Sequence, residues 1–261
     1  MLPSLFVSHG SPMLALRPSP ARDFLSGLGG TLERPRAIVI ASAHWETERP
    51  AVSRMAVNDT VHDFYGFPPA LYALRYPAPG DAKLAQRVVD LLQAAGLDAD
   101  IDDTRGLDHG AWVPLMLMYP QHDIPVLQLS LQSWLGPQHQ FLLGRTLAPL
   151  RREGVLVIGS GAFTHNLRRM RRDDFDGPAE PDVAAFAAWM NEAVTAHRLD
   201  DLLDYRRQAP YAALQHPTDE HLQPLFVALG AAGPEAPARR LHASTEYGVL
   251  RMDSFAFGGT D

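Results

Sequence analysis

Eleven histidines and a complete absence of cysteine are the chemically informative features of this 261-residue chain. Three apolar runs lead into a histidine. They are Leu5-Phe6-Val7-Ser8-His9, Ala37-Ile38-Val39-Ile40-Ala41-Ser42-Ala43-His44, and VLVI at 155–158, which continues through Gly159-Ser160-Gly161 to His165. His221 stands at the start of a helical pattern, in His216-Pro217-Thr218-Asp219-Glu220-His221, and His109 opens the apolar stretch after Leu107-Asp108. A single histidine beside a strand is usually a hydrogen-bonded structural residue. Several delivered to one edge of a sheet are costly unless they share a task, because buried neutral imidazoles need partners and imidazolium cations repel. A divalent metal supplies that task. It takes imidazole nitrogens from distant parts of a chain and leaves positions open for substrate. The pattern therefore points to a mononuclear, histidine-rich metal site at the carboxyl ends of the strands, where open α/β sheets bind ligands.

Other chemistry is poorly represented. The absence of cysteine excludes disulfides, thiolate metal sites, iron–sulfur clusters and cysteine nucleophiles. Gly159-Ser160-Gly161 resembles a nucleophile elbow, but Phe163 occupies the place of the last glycine. No dinucleotide or phosphate-binding glycine motif is present. Asp102-Asp103 and Asp173-Asp174 are carboxylate pairs of the kind found on solvated loops.

The elements that must position the histidines follow from periodicity. Strands are predicted at 5–7, 37–41, 126–130 and 155–158. Helices are predicted at 81–95, where Leu84, Val88, Leu91 and Leu92 share a face, and at 137–150, 182–196 and 220–229. The tail from 241 to 257 reads as a β-hairpin turning near Glu246-Tyr247-Gly248, and 168–180 and 230–238 read as surface loops. The arginines at 168, 169, 171 and 172 read as a solvated face. Strand–helix alternation predicts an α/β fold, a single domain over 1–261 with a central mixed, mostly parallel sheet flanked by helices. Hydrophobic residues at 46% and charged residues at 20% suit a globular protein, not a disordered or coiled-coil one. A net charge of −7 lacks the basic footprint of a nucleic-acid binder. No stretch approaches a membrane span and no targeting segment is visible, so the expectation is a soluble, cytoplasmic protein. The oligomeric state is not legible.

Six ordered motifs carry a family resemblance. They are Ser8-His9-Gly10-Ser11-Pro12, Ser42-Ala43-His44-Trp45, His62-Asp63-Phe64-Tyr65-Gly66-Phe67-Pro68, Leu107-Asp108-His109-Gly110-Ala111-Trp112, Gly159-Ser160-Gly161 on to His165-Asn166, and His216-Pro217-Thr218 on to His221. Together they resemble the class III extradiol ring-opening dioxygenases, in particular the DOPA-dioxygenase branch, over nearly the whole chain. The resemblance implies a non-haem Fe(II) enzyme that opens a catechol with O₂ to give a semialdehyde. It implies His9, His44 and His221 as metal ligands, with Glu220 as a neighbouring alternative to His221. Two adjacent helical residues point about 100° apart, so both are not expected on one ion. His165 is implied as catalytic base or further ligand, and His109 as an acid/base facing the dioxygen. Asp63, Phe64, Tyr65 and Phe67 are the expected substrate contacts, the aromatics forming a wall for the ring or packing into the core. An all-histidine ligand set also suits Zn(II), so zinc is expected in purified protein. Two other readings remain on the same scaffold: a zinc hydrolase or amidase using a zinc-bound water, and a non-catalytic metal-binding protein.

Overall fold

The computed structural model describes residues 1–259. Among the described residues ten strands are present: β1 (Ser4–Ser8), β2 (Ala37–Glu46), β3 (Ala51–Ser53), β4 (Asp100–Asp102), β5 (Val126–Leu131), β6 (Val155–Gly161), β7 (Ala238–His242), β8 (Thr245–Glu246), β9 (Leu250–Arg251) and β10 (Ser254–Phe257). Eight form one sheet in the order β4-β3-β5-β2-β6-β1-β10-β7. The central strands β5, β2, β6 and β1 run parallel, while β10 and β7 add antiparallel at one edge. The fold is thus α/β with a mixed, mostly parallel sheet.

The apolar runs lack polar alternation because both faces of the central sheet are covered. Successive side chains of β2 go to opposite cores. Ile38 and Ile40 join Val126, Leu156 and Ile158 beneath the helices Pro20–Thr31 and His109–Met118. Ala37, Val39 and Ala41 join Leu127, Leu129, Val155 and Val157 beneath Ala82–Ala94, Gly136–Arg152 and Gln223–Ala232. Parallel alignment brings the carboxyl ends of β1, β2, β5 and β6 to one edge. His9, His44 and His165 therefore emerge together.

Three departures from periodicity have local causes. The helix predicted at 220–229 begins at Gln223, with proline in its first turn. Pro224 lacks an N–H and suits that position, so Glu220 and His221 lie in the preceding turn and the helix runs on to Ala232. Pro20–Thr31 escapes sequence reading because Gly27, Gly29 and Gly30 weaken its helical signal. Ser19 nevertheless caps it, accepting from Arg22 N. The predicted tail hairpin exists as β8 and β9, turning through Tyr247 (φ 53°) and Gly248 (φ 72°). Outside it, β7 pairs with β10, extending the paired region back to Ala238. Among the described residues no helix is long and apolar enough to cross a membrane.

Candidate active site

His9 leaves β1 with its backbone N–H donating to Gly161 O of β6 at 2.9 Å. His44 lies within β2, where the register with β5 shifts between Ala41 and Glu46. His109 is the first residue of its helix, behind the Asp108 cap, whose carboxylate accepts from Ala111 N. His221 reaches the same place because β6 carries glycine where its turn crosses. A Cβ at Gly161 would overlap His221 O, and one at Gly159 would overlap Pro224 O. Ala162 N also donates to His221 O at 2.8 Å. The glycines first read beside a nucleophile elbow serve this close approach instead.

Five imidazoles converge. Ring centroids are 5.0 Å apart for His9 and His44, 4.9 Å for His44 and His221, 5.7 Å for His9 and His221, and 4.0 Å for His44 and His109. His165 stacks on His221 at 3.4 Å and 13°. Three overlapping sets offer ligand atoms all within 4.8 Å of one another: His9, His44 and His221; His44, Asp63 and His109; His165, Glu220 and His221.

Hydrogen bonds on the far side of the His9 and His221 rings decide which nitrogen faces inward. Ser160 Oγ donates to Gly110 O and so accepts from His9 Nδ1, 3.0 Å away. His9 therefore carries its proton on Nδ1 and presents a bare Nε2. His221 Nδ1 donates to Glu220 Oε1 at 2.8 Å, which frees its Nε2 in the same way. Glu220 thus sits behind His221 as its carboxylate partner, the usual arrangement for a ligating histidine. His44 Nδ1 faces Asp63 Oδ2 at 3.6 Å, while its Nε2 stands 3.0 Å from His9 Nε2. The His9 Nε2 lone pair is thus aimed at His44 Nε2, and a cation held between the two nitrogens fits that separation. Cis ligands about 2.1 Å from an octahedral ion stand about 3.0 Å apart. The donor set fits a divalent metal.

Burial, the largest effect, pushes His9 and His221 well below the usual imidazole range, and the neighbouring imidazoles add to it. Burial also lowers His44 and His165 to about 4. These rings are neutral near pH 7, the form that ligates metals.

A cavity of about 550 Å³ opens above them, lined by His44, His109, His165 and His221 on one side and by Phe64, Phe67, Leu167 and Met170 among its apolar residues. The expected substrate contacts divide. Phe64 and Phe67 reach the cavity, set edge to face at 78° rather than as one flat wall. Tyr65 is 92% exposed and outside the cavity, because its neighbours' rings take the inward positions. Asp63 faces His109 rather than the cavity, both carboxylate oxygens lying 2.9 Å from His109 Nδ1. Burial alone would raise Asp63, but its bonds to His109 outweigh that and hold it at about 2. The ionised carboxylate accepts a hydrogen bond from His109 Nδ1–H, which leaves Nε2 as the nitrogen available to the cavity.

Sequence reading missed the support beneath these groups. Asp108 is fully buried and accepts from Ser42 Oγ at 2.7 Å, from Arg105 at 2.7 Å and from Gln128 Nε2. Arg105 also donates to His44 O at 3.2 Å and lies over Trp45. A Cβ on Gly110 would press on Ser42 Oγ, His44 and His9. An aspartate just before an apolar stretch was a legible cap signal; nothing local pointed to Ser160.

Comparison with known proteins agrees with this geometry. A family profile described as the catalytic LigB subunit of aromatic ring-opening dioxygenase matches residues 4–251. The chain is 46% identical to a 4,5-DOPA dioxygenase extradiol of Beta vulgaris, covering 98% of this chain and 97% of that one. It is 40% identical to one from Escherichia coli K12, covering 98% and 95%. The crystal structure of an uncharacterized Escherichia coli K12 protein aligns with a TM-score of 0.81 at 36% identity, over 99% of this chain and 100% of that one. A match of this length, on a chain whose histidines gather at the strand ends, establishes membership of the class III extradiol ring-opening dioxygenases, so the chain is an oxidoreductase that opens an aromatic ring with O₂.

Proposed function

We propose that the chain works as a single catalytic domain, in the cytoplasm, and uses Fe(II) to open a catechol beside its two hydroxyls. His9, His44 and His221 would hold the ion. The observation that carries this reading is the 3.0 Å approach of His9 Nε2 to His44 Nε2, with the His9 proton committed to Ser160 on the other side of the ring. When bound, the iron supplies redox chemistry and Lewis acidity for the reaction of a catecholate with O₂.

The chain's own residues do the rest. A catechol must lose a proton before both oxygens can chelate. His165 is neutral at pH 7 and lines the cavity next to His221, so it is the base for that proton. His109 works from beside the His44 ring, 4.0 Å away between centroids. Asp63 fixes its orientation, so proton transfer takes place at Nε2. Phe64, edge-on to His109 at 5.7 Å, and Phe67 confine the substrate ring. His9, His44 and His221 would hold the ion and leave the cavity side, lined by Phe64, Phe67, His109 and His165, to the substrate.

The test is metal analysis of the purified protein, followed by anaerobic Fe(II) reconstitution and a catechol panel. Stoichiometric O₂ uptake with a yellow ring-fission product is expected from the iron form, and none from a zinc form. Equal uptake with zinc, or none with iron, refutes the reading.

A further inference from the structure

We infer that Arg17 and Arg172 form an anion subsite at the cavity mouth, which selects a catechol whose substituent carries a carboxylate; this rests on the catechol reading above. The cavity lining includes Arg17, Arg172 and Arg251 and no aspartate or glutamate. That is unexpected in a chain with a net charge of −7.

The three arginines are not equivalent. Arg251 is already committed, its Nε donating to Asp253 Oδ2 at 2.8 Å and its Nη2 to Oδ1 at 3.2 Å. Arg17 and Arg172 form no ion pair among the described residues. Arg17 is nevertheless held in place. Its guanidinium lies 4.3 Å from the centroid of the Phe175 ring and donates to Tyr247 Oη at 2.8 Å. An aromatic face and a phenol position a cation without neutralising it. Arg172 has no hydrogen-bond partner of its own among the described residues.

The segment that presents Arg172 is stitched down by its neighbours. Arg169 pairs with Asp182, and Arg171 pairs with Asp174 and with Glu180, the last at 2.8 Å. Arg171 N donates to Tyr247 O at 3.1 Å, and Tyr247 N to Phe175 O at 2.8 Å. The basic cluster read as a solvated face therefore splits. Arg169 and Arg171 fasten the loop to the rest of the chain, and Arg172 is left over the cavity with its charge unspent. Neither the Arg17 nor the Arg172 guanidinium is in an ion pair among the described residues, although the Arg17 charge also reaches the buried Glu246 carboxylate, which lines a separate small pocket with it. Both guanidiniums share a cavity with the histidine cluster. A catechol chelating at that cluster would extend its substituent toward them. A planar guanidinium takes a carboxylate through paired N–H donors. An ammonium on the same substituent would find no carboxylate among the lining residues.

The subsite is tested by anaerobic calorimetry on the protein as purified, with three ligands that share one ring. Dihydrocaffeate carries a propanoate tail, ethylcatechol a neutral one and dopamine an ammonium. Dihydrocaffeate is expected to bind tightest and dopamine weakest. Arg17→Gln and Arg172→Gln should each weaken dihydrocaffeate alone by about three- to tenfold, the range for charge-assisted contacts at an exposed rim. Salt should erode the preference. Arg168→Gln, the same charge change in the same segment but outside the cavity lining, should alter nothing. Equal affinities for the three ligands, an equal loss for all three in the variants, or the same loss in Arg168→Gln would overturn the subsite. Oxygen uptake by the iron-loaded protein separates the two claims. A charge preference without ring opening defeats the catechol reading and leaves the subsite standing. Ring opening without a charge preference defeats the subsite alone.

Discussion

Replacing Ser160 with alanine isolates the tautomer lock on His9. Ser160 Oγ is fully buried, accepts from His9 Nδ1 at 3.0 Å and donates to Gly110 O. Ser160→Ala removes one oxygen and leaves the His9 Nδ1–H without an acceptor in a dry site. An unsatisfied buried donor costs about 1–3 kcal/mol. The ring can avoid that cost by moving its proton to Nε2, the nitrogen that faces His44. Either route weakens metal binding, and loss of such an outer partner typically costs about 10–100-fold in affinity. The assay is chelator competition at constant pH, with folding followed by circular dichroism. Ser8→Ala is the control. Its hydroxyl is equally buried but donates to Asp253 O and accepts from Phe163 N, away from any imidazole. Ser8→Ala should lower stability and leave metal affinity within about twofold. Unchanged affinity in Ser160→Ala, or an equal loss in Ser8→Ala, would show that the hydrogen bond does not govern the ligand.

Three further outcomes are expected. His9→Ala or His44→Ala should abolish metal retention, whereas His109→Ala should keep the metal and lose turnover; metal loss in His109→Ala would move that residue into the ligand set. His165→Gln should lose about 10²–10⁴-fold on an ordinary catechol and far less on a nitrocatechol already ionised near neutral pH, with iron content matched, and equal losses on both would remove the base role. His216 governs a pH effect on the metal-free protein. Burial, the largest cause, lowers it to about 4, while its Nε2 donates to Phe163 O at 3.0 Å. The unfolded chain takes up this proton first, near pH 6.5. Its contribution is therefore fully present above 6.5 and is lost as pH falls toward 4, by about 3 kcal/mol in all. Denaturant midpoints measured against pH should fall less steeply in His216→Gln, and parallel curves would contradict the linkage.

How much of this protein can be read from the chain depends on the range of the interactions. The strands that deliver His9, His44 and His165 are local: an uninterrupted apolar run specifies a strand buried on both faces, whatever its partners. The histidine clustering followed from those positions, because parallel strands share one carboxyl edge. Other features depended on partners far along the chain. Ser160 of β6 and Gly110 of the helix His109–Met118 lie 50 residues apart and meet where that helix packs on the sheet. Asp63 and His109 are separated by 46 residues, so nothing in the run around Phe64 showed that the carboxylate would face an imidazole rather than a substrate. Helical periodicity could not resolve Glu220 against His221, because Pro224 starts the helix after both and leaves the carboxylate free to accept from its neighbour's Nδ1. The arginines between 168 and 172 are alike as letters. Only the positions of Asp182, Asp174 and Glu180 determine which charges are consumed and that Arg172 is left over the cavity. Residue type and periodicity set the list of chemical groups and the strands that carry them. Tertiary packing of helices, loops and strands assigned each group its partner, its tautomer and its direction.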